Sequence, residues 1–369
     1  MDWNFQMRLI AWRAAFWASH SLATERAIYP PFVLNIEPTN YCNLRCPFCP
    51  VSQMAHDPSV ARGFLDPAII APLLGEIRAW RPLIAINLGG ESTLHRDLPL
   101  LIEQLSDAGC YVFLDTNAAV LSEEMSKRLL SSGLAEIAFC IDGEGDARSY
   151  EDMRKRASFD KTVRNVRRFL TLAQQGPRRP KTVIKNIRYY KPGLALDVPA
   201  AIRSLFSDTP PDLYRATWAD YWPGSHAEKL AETYEVEPIA KGAYQPCTNL
   251  WKKLAISWDG KVYACCLDLN RTVEIGDVTR QSLAEIWNGA PIRALRRMHR
   301  ENRQNEIALC RNCTMIQRSP RGSMAGLLSF RRERFTPFSE SPGQGSAISS
   351  MPSQRHFAKP EPPSPALLD

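Results

Sequence analysis

Apolar positions in this chain change period repeatedly between that of a strand and that of a helix. Phe32–Glu37, Ala85–Leu88, Tyr111–Thr116, Glu136–Asp142, Thr182–Tyr189 and Leu213–Thr217 are short, bounded runs that predict strands. Leu98–Ala108, Ser122–Ser131 and Asp160–Gln174 carry helical spacing between them. Ser122 is placed to cap its helix, and Gly109 and Gly133 stand just past helix ends. Alternating strands and helices imply right-handed βαβ units and a parallel sheet. Six units predict an α/β fold, a partial (β/α)6 TIM-like barrel, whose chemistry sits on loops at the C-terminal strand ends. Asn35, Glu37, Asn87, Lys185 and Arg188 are polar for a parallel sheet, so some of them are expected to line a polar chamber.

The flanks read differently. In Trp3–Ala27, Leu9, Trp12, Phe16 and His20 follow the spacing of one buried helical face, predicting a helix packed against the main domain. The same stretch holds many aromatics with Arg8, Arg13 and Arg26, so a helix lying on a membrane surface is the second reading. No run approaches the ~20 apolar residues of a bilayer span. From about residue 318 serine, proline, arginine and glycine dominate and apolar periodicity vanishes, which predicts a disordered tail. The expected organisation is an N-terminal helical extension (1–30), the barrel (31–217), a bridge (218–245), a small C-terminal α+β cluster-binding domain (246–317) and the tail (318–369).

Composition narrows this little. A formal net charge of +7 over 369 residues is mild, and runs such as Arg296-Arg297 and Arg331-Arg332 read first as solvated surface. Nucleic-acid binding would need basic residues gathered on one face, and no such partner is expected. Ten cysteines without an evident secretory signal point to metal binding in a reducing, cytoplasmic setting rather than to disulfides.

The densest chemical signal is Asn40-Tyr41-Cys42-Asn43-Leu44-Arg45-Cys46-Pro47-Phe48-Cys49-Pro50. Three thiolates can hold three irons of a cubic 4Fe–4S cluster and leave the fourth open, whereas a structural site closes its coordination shell. A zinc or disulfide loop is the bland alternative. Cys-x-x-x-Cys-x-x-Cys with an aromatic before the last cysteine resembles the radical S-adenosylmethionine (SAM) superfamily. The resemblance implies that Cys42, Cys46 and Cys49 hold a 4Fe–4S cluster whose open iron binds SAM. It implies an enzyme in which reductive cleavage of SAM gives a 5′-deoxyadenosyl radical that takes hydrogen from an unactivated C–H bond. A reductant such as flavodoxin or ferredoxin is the implied partner.

Further motifs fall where that family needs them. Gly89-Gly90-Glu91 resembles its glycine–glycine–glutamate strand end, where the glycines allow close backbone approach and Glu91 either meets the SAM ammonium or anchors the loop. Asn117 and Asp142 match polar strand tips that meet the SAM ribose and carboxylate, and Arg154 matches an arginine placed for a carboxylate or a surface ion pair. Asn117-Ala118 replaces the family's asparagine–glycine, so this turn is expected to avoid a positive φ. Phe48 is expected to shield the cluster and border the adenine. Cys140 shares a strand face with Asp142 and is either a hydrogen-atom donor or a small buried filler. His95 reads as a turn residue and Cys110 as structural.

A second constellation follows. Trp258–Cys265 has the pattern of a β-hairpin with an Asp-Gly turn, and Cys310-Arg311-Asn312-Cys313 closes the set. It resembles the SPASM or twitch extension of radical SAM enzymes, but with five cysteines instead of seven. Four suffice for one cluster, so the resemblance implies one auxiliary 4Fe–4S cluster on Cys247, Cys265, Cys310 and Cys313, with Cys266 able to replace Cys265. A four-cysteine zinc site is the alternative. A zinc protein gripping RNA would be basic too, but leaves the Gly89-Gly90-Glu91 and Asp142-Gly143 tips unexplained. For substrate, the polar strands suggest a small metabolite of sugar, aminocyclitol or nucleoside type, undergoing oxidation, epimerisation or a related rearrangement. Only ~30 residues precede the first strand, so the peptide-binding module common in peptide-modifying relatives is expected to be missing; a ribosomally made peptide or protein is the alternative substrate.

Overall fold

The computed structural model describes residues 3–54, 57, 60–176, 179–189, 193–219, 246–311 and 313. The sequence-based bridge beyond residue 219 and the whole tail lie outside these residues.

The chain opens with helix α1 (Trp3–Ser21), followed by β1 (Val33–Ile36), α2 (Pro50–Met54), α3 (Pro67–Ile70), α4 (Leu74–Trp80) and β2 (Leu83–Ile86). Next come α5 (Leu98–Asp107), β3 (Tyr111–Thr116), α6 (Glu123–Ser131), β4 (Glu136–Cys140), α7 (Ala147–Met153), α8 (Phe159–Gln175), β5 (Lys181–Arg188), α9 (Ala200–Leu205) and β6 (Leu213–Trp218). Strands β1 to β6 pair in sequence order, all parallel. This is the partial barrel expected. Leu34, Ile36, Val112, Leu114, Ile137, Phe139 and Ile184 face the surrounding helices in one large core, while Val33, Ala85 and Phe113 pack on the inner face. Ser122 caps α6, its hydroxyl accepting from Met125 N.

Three local expectations shift. Strand β2 begins and ends two residues early, because Leu88 has a φ of 119° that leaves the strand conformation. Strand β4 stops at Cys140, so Asp142 stands on the loop beyond it. Helix α9 fills a stretch of the barrel for which the sequence marks no element, and it connects β5 to β6.

The C-terminal part contains β7 (Lys253–Ile256), β8 (Lys261–Tyr263), β9 (Glu274–Asp277) and the helices Leu283–Trp287 and Ala290–Arg300. Strand β7 lies parallel to β1, from Val33 opposite Lys253 to Ile36 opposite Ile256, and β8 and β9 extend it antiparallel. Strands β1 to β6 and β7 to β9 thus form one nine-stranded sheet. Helix α1 clamps both parts. Phe16 packs edge-on to Tyr29 and Phe32, and His20 meets the edge of Trp251 and lies 3.0 Å from the Pro246 carbonyl. Arg296 is buried between Trp251 and Trp287 and donates to the carbonyls of Leu250 (2.9 Å) and Glu25 (3.0 Å).

Candidate active site

The first three cysteines occupy the loop that leaves β1. Arg45 folds back and donates to the carbonyls of Cys42 (2.9 Å) and Leu44 (2.8 Å), and Cys49 N donates to the Cys46 carbonyl (3.1 Å). These bonds curl residues 42–49 so that the thiols turn toward one region. Burial pushes Cys42 up to about 12 and Cys49 up to about 11, and the neighbouring thiols add to the rise. Bound metal is what turns such thiols into thiolates. Donors are already aimed at them. Leu44 N lies 3.5 Å and Asn117 Nδ2 4.0 Å from Cys42 Sγ, and Arg154 Nη1 lies 3.7 Å from Cys46 Sγ.

The glycine pair serves packing. A Cβ on Gly90, whose φ is +73°, would sit 2.2 Å from the Thr39 carbonyl oxygen, and one on Gly89 would sit 2.5 Å from Glu37 Oε1. The pair lets the end of β2 lie directly on the start of the cysteine loop, where Glu91 N donates to the Tyr41 carbonyl (2.8 Å). Of the two readings of Glu91, the structure supports the anchor. Its buried carboxylate accepts from Thr93 N (3.1 Å), Thr93 Oγ1 (2.6 Å), Thr116 Oγ1 (2.6 Å) and Asn117 N (2.8 Å). It thereby fixes the tip of β3. There Asn117 Nδ2 donates to Asn43 Oδ1 (3.1 Å) beside the cysteines.

The turn after Asn117 corrects an expectation. Ala118 adopts φ +56° although it has a Cβ. It is held there because Ala118 N donates to Thr116 Oγ1 (3.0 Å) and its carbonyl accepts from Asn165 Nδ2 (2.9 Å). A left-handed alanine costs on the order of 1 kcal/mol, which these bonds offset.

Asp142 is fully buried and engaged by protein. Its carboxylate accepts from Arg154 Nε (2.6 Å) and Ile187 N (2.7 Å). Arg154 also lies 5.3 Å from the centroid of Phe48. Burial opposes the Arg154 charge, but Asp142 and Cys46 outweigh it and the pKa rises. Phe48 packs with Leu44, Cys46, Ala119 and Met153 against the loop. His95 is structural, since its Nδ1 accepts from Asp97 N (3.1 Å) and its Nε2 donates to the Leu65 carbonyl (2.7 Å).

The inner barrel face carries a polar chain. Asn35 Nδ2 donates to Asn87 Oδ1 (2.8 Å), and both Asn87 Nδ2 (3.5 Å) and Lys185 Nζ (3.4 Å) reach Asp115 Oδ2. Burial opposes the Lys185 charge, and Asp115 and then Cys140 outweigh it, raising the pKa. Asn35 Oδ1 is buried without a partner. Cys140 pairs in register with Lys185, so its buried thiol belongs to this layer. Arg188 instead pairs with Glu144 (2.8 Å).

Asp115, Arg271 and His299 carry no mark in the sequence, and Glu37 stands out there only as one of the polar strand residues. Glu37 is buried at the end of β1 and accepts from Gly89 N (3.2 Å), Ser257 Oγ (2.9 Å), Trp258 N (3.3 Å) and Arg271 Nη2 (2.8 Å). It ties the glycine strand end to the C-terminal hairpin. A charged residue closing a predicted strand was the available signal.

The second constellation converges on a small recess, open in part to solvent and lined by Cys247, Cys265, Cys310 and Cys313 but not by Cys266. The rest of its wall is mainly aliphatic, including Leu250, Val273 and Leu295. Burial pushes Cys247 and Cys310 up to about 12. His299 also faces the recess; its Nδ1 accepts from Cys247 N (3.3 Å), and burial lowers its pKa to about 4.

Two family models match this chain: the radical SAM superfamily over residues 36–173 and the SPASM iron–sulfur cluster-binding domain over residues 247–314. The chain belongs to the radical SAM superfamily and carries a SPASM domain. The two domains imply a 4Fe–4S cluster that binds SAM and an auxiliary iron–sulfur site. It is similar to the PqqA peptide cyclase of Granulibacter bethesdensis, 26% identical over 72% of this chain and 75% of the relative. It is also similar to the Fe-coproporphyrin III synthase of Methanosarcina barkeri, 26% identical over 34% of this chain, and there it spans only 30% of the relative's length. Its fold resembles that of SuiB of Streptococcus suis bound to S-adenosylmethionine, with a TM-score of 0.55 at 15% identity, covering 78% of this chain and 72% of that one.

Among the described residues, no group of three or more His, Cys, Asp or Glu side chains surrounds a point suited to a single metal ion. Soft, buried thiols with N–H groups aimed at their sulfurs suit an iron–sulfur cluster, which is held at several irons rather than at one. No helix among the described residues is long and apolar enough to cross a membrane.

Proposed function

We infer that this radical SAM enzyme modifies a peptide, abstracting hydrogen from a C–H bond held above the polar inner layer of the barrel. The observation that carries the substrate class is the similarity to PqqA peptide cyclase along three quarters of that relative. It favours the peptide alternative over the small metabolite that the polar strands suggest. The unpartnered Asn35 Oδ1 and the Asp115–Lys185 pair suit a polar side chain or the amide groups of a peptide as well as a sugar.

In this reading Cys42, Cys46 and Cys49 hold the first 4Fe–4S cluster, and Cys247, Cys265, Cys310 and Cys313 hold one auxiliary cluster. When bound, the first cluster and SAM supply reductive C–S cleavage and hydrogen abstraction. The chain's own residues do the positioning. Gly89 and Gly90 admit the β2 end against the cysteine loop. Glu91 fixes Asn117 at the mouth. Asp142 orients Arg154 toward Cys46, and Phe48 keeps water from that side. Cys140, in the chamber layer beside Lys185, is placed to return a hydrogen atom to a substrate radical or to pack there as a filler; a Cys140→Ala variant with full product formation removes the donor role. A reducing cytoplasm with flavodoxin or ferredoxin as electron donor completes the setting. Residues 31–217 carry the SAM site and 246–317 the auxiliary site.

The test is anaerobic. Reconstituted enzyme is incubated with SAM, dithionite and two fractions of a cell extract, one of peptides and one of small metabolites. Deoxyadenosine release with the peptide fraction, lost after protease treatment, is expected. Release with the metabolite fraction alone overturns the peptide reading, and no release with either overturns the reaction.

A further inference from the structure

We propose that the outer face of α1, continued by Leu22 and Ile28, seats this protein on an anionic lipid surface. The inference is independent of the substrate. Six of the ten large hydrophobic side chains exposed among the described residues lie within residues 3–28: Trp3 (71%), Met7, Ile10 (57%), Trp17, Leu22 (72%) and Ile28 (81%). The opposite face of α1 is the one that buries Phe5, Phe16 and His20, so the helix is spoken for on one side only.

Trp3, Met7, Ile10, Ala14 and Trp17 line one stripe, and exposed Ala11 and Ala18 widen it. At 3.6 residues per turn these positions span about 120° of arc. The seam of a two-stranded coiled coil is narrower than this and takes regular knobs, whereas here two tryptophans stand at the ends with Met7, Ile10 and Ala14 between them. The surface also runs past the helix end to Ile28, where a partner helix would not follow it.

Charge selects the occupant. Trp3–Ser21 contains no acidic residue. Arg8 is exposed on one shoulder of the stripe, and Arg26 is exposed between Leu22 and Ile28. Glu25, the lone acid in residues 3–28, is held in ion pairs with Arg297 (2.8 Å) and Arg300 (2.9 Å). Tryptophans with an apolar body and a polar tip, rimmed by arginines and free of carboxylates, match the headgroup level of an anionic membrane. The helix lies on that surface, with its buried face kept on the protein.

The full-length holoprotein is sedimented anaerobically with vesicles of phosphatidylglycerol and phosphatidylcholine, or of phosphatidylcholine alone. Partitioning to the anionic vesicles is expected to be about tenfold stronger and to weaken with added salt. The triple variant Trp3→Ser/Ile10→Ser/Trp17→Ser should lower it about tenfold or more at unchanged iron content. Arg26→Glu alone should lower it severalfold, which keeps the test open if the triple variant misfolds. Leu100→Ser/Leu196→Ser, exposed apolar positions elsewhere, should leave it unchanged. Wild-type protein that ignores anionic vesicles overturns the proposal. So does a triple variant that binds as wild type, or a dimer of this chain that the triple variant dissolves while vesicle binding is absent.

Discussion

The two cysteine sites share a donor type and differ in everything around it. At the first, three thiols are met by Leu44 N, the Asn117 amide and the Arg154 guanidinium, and the barrel's polar chain runs from Asn35 to Lys185 on the inner face of the same sheet. At the second, four thiols line a recess whose walls are mainly aliphatic. Hydrogen bonds and positive charge near a sulfur stabilise the reduced, more negative state of a cluster, and an apolar shell disfavours it. The first surroundings suit a site that is tuned and addressed by ligands, the second one that is insulated. Glu37 stands between them, with partners on the β2 end and on the C-terminal hairpin.

The largest expected effect separates the sites outright. Cys46→Ala should remove about four irons per chain and abolish SAM cleavage, whereas Cys310→Ala should remove a similar amount of iron and leave reductive SAM cleavage measurable. Iron analysis together with deoxyadenosine release checks this; SAM cleavage surviving in Cys46→Ala would sink the assignment of the first site. Next, Glu37→Gln takes the buried carboxylate from Arg271 and leaves it only Asp259, 3.6 Å away on the other side. A loss of about 3 kcal/mol or more of unfolding free energy is expected, read by anaerobic denaturant titration, and a loss under about 1 kcal/mol would show that the two halves do not depend on this pair.

Arg154→Met sharpens the comparison further. Taking the cation from beside Cys46 should lower the potential of the SAM-site cluster by tens of millivolts and leave the auxiliary cluster's unchanged. Electron paramagnetic resonance during a redox titration reads both. Equal shifts at the two clusters would contradict a local effect. The smallest change is expected at the β3 turn. Ala118→Gly relieves a left-handed alanine but adds chain entropy to the unfolded state, so stability should move by no more than about 1 kcal/mol, with activity retained. A larger loss would mean that the Ala118 methyl packs more tightly than its backbone suggests.

Much of the frame was legible in the residues because it depends on near neighbours. Cysteines at gaps of three and two residues must share a loop. Ser122 caps whatever helix follows it. Short aliphatic runs separated by helical periods can hardly avoid a parallel sheet. The same local logic misjudged Ala118, since the bonds that hold its left-handed turn include one from Asn165, 47 residues away.

What the chain's order could not reveal are the meetings between distant segments. Arg154 reaches Cys46 across 108 residues and Arg271 reaches Glu37 across 234. Strand β7 takes the free edge of β1, and only that pairing brings the C-terminal hairpin against the glycine strand end. The spacing of Phe16 and His20 marked the covered side of α1, but not that Phe32 and Trp251 would be what covers it. Local chemistry sets the elements and their reactive groups. The closure of the sheet decides which of those groups share a charge, a cavity or a surface.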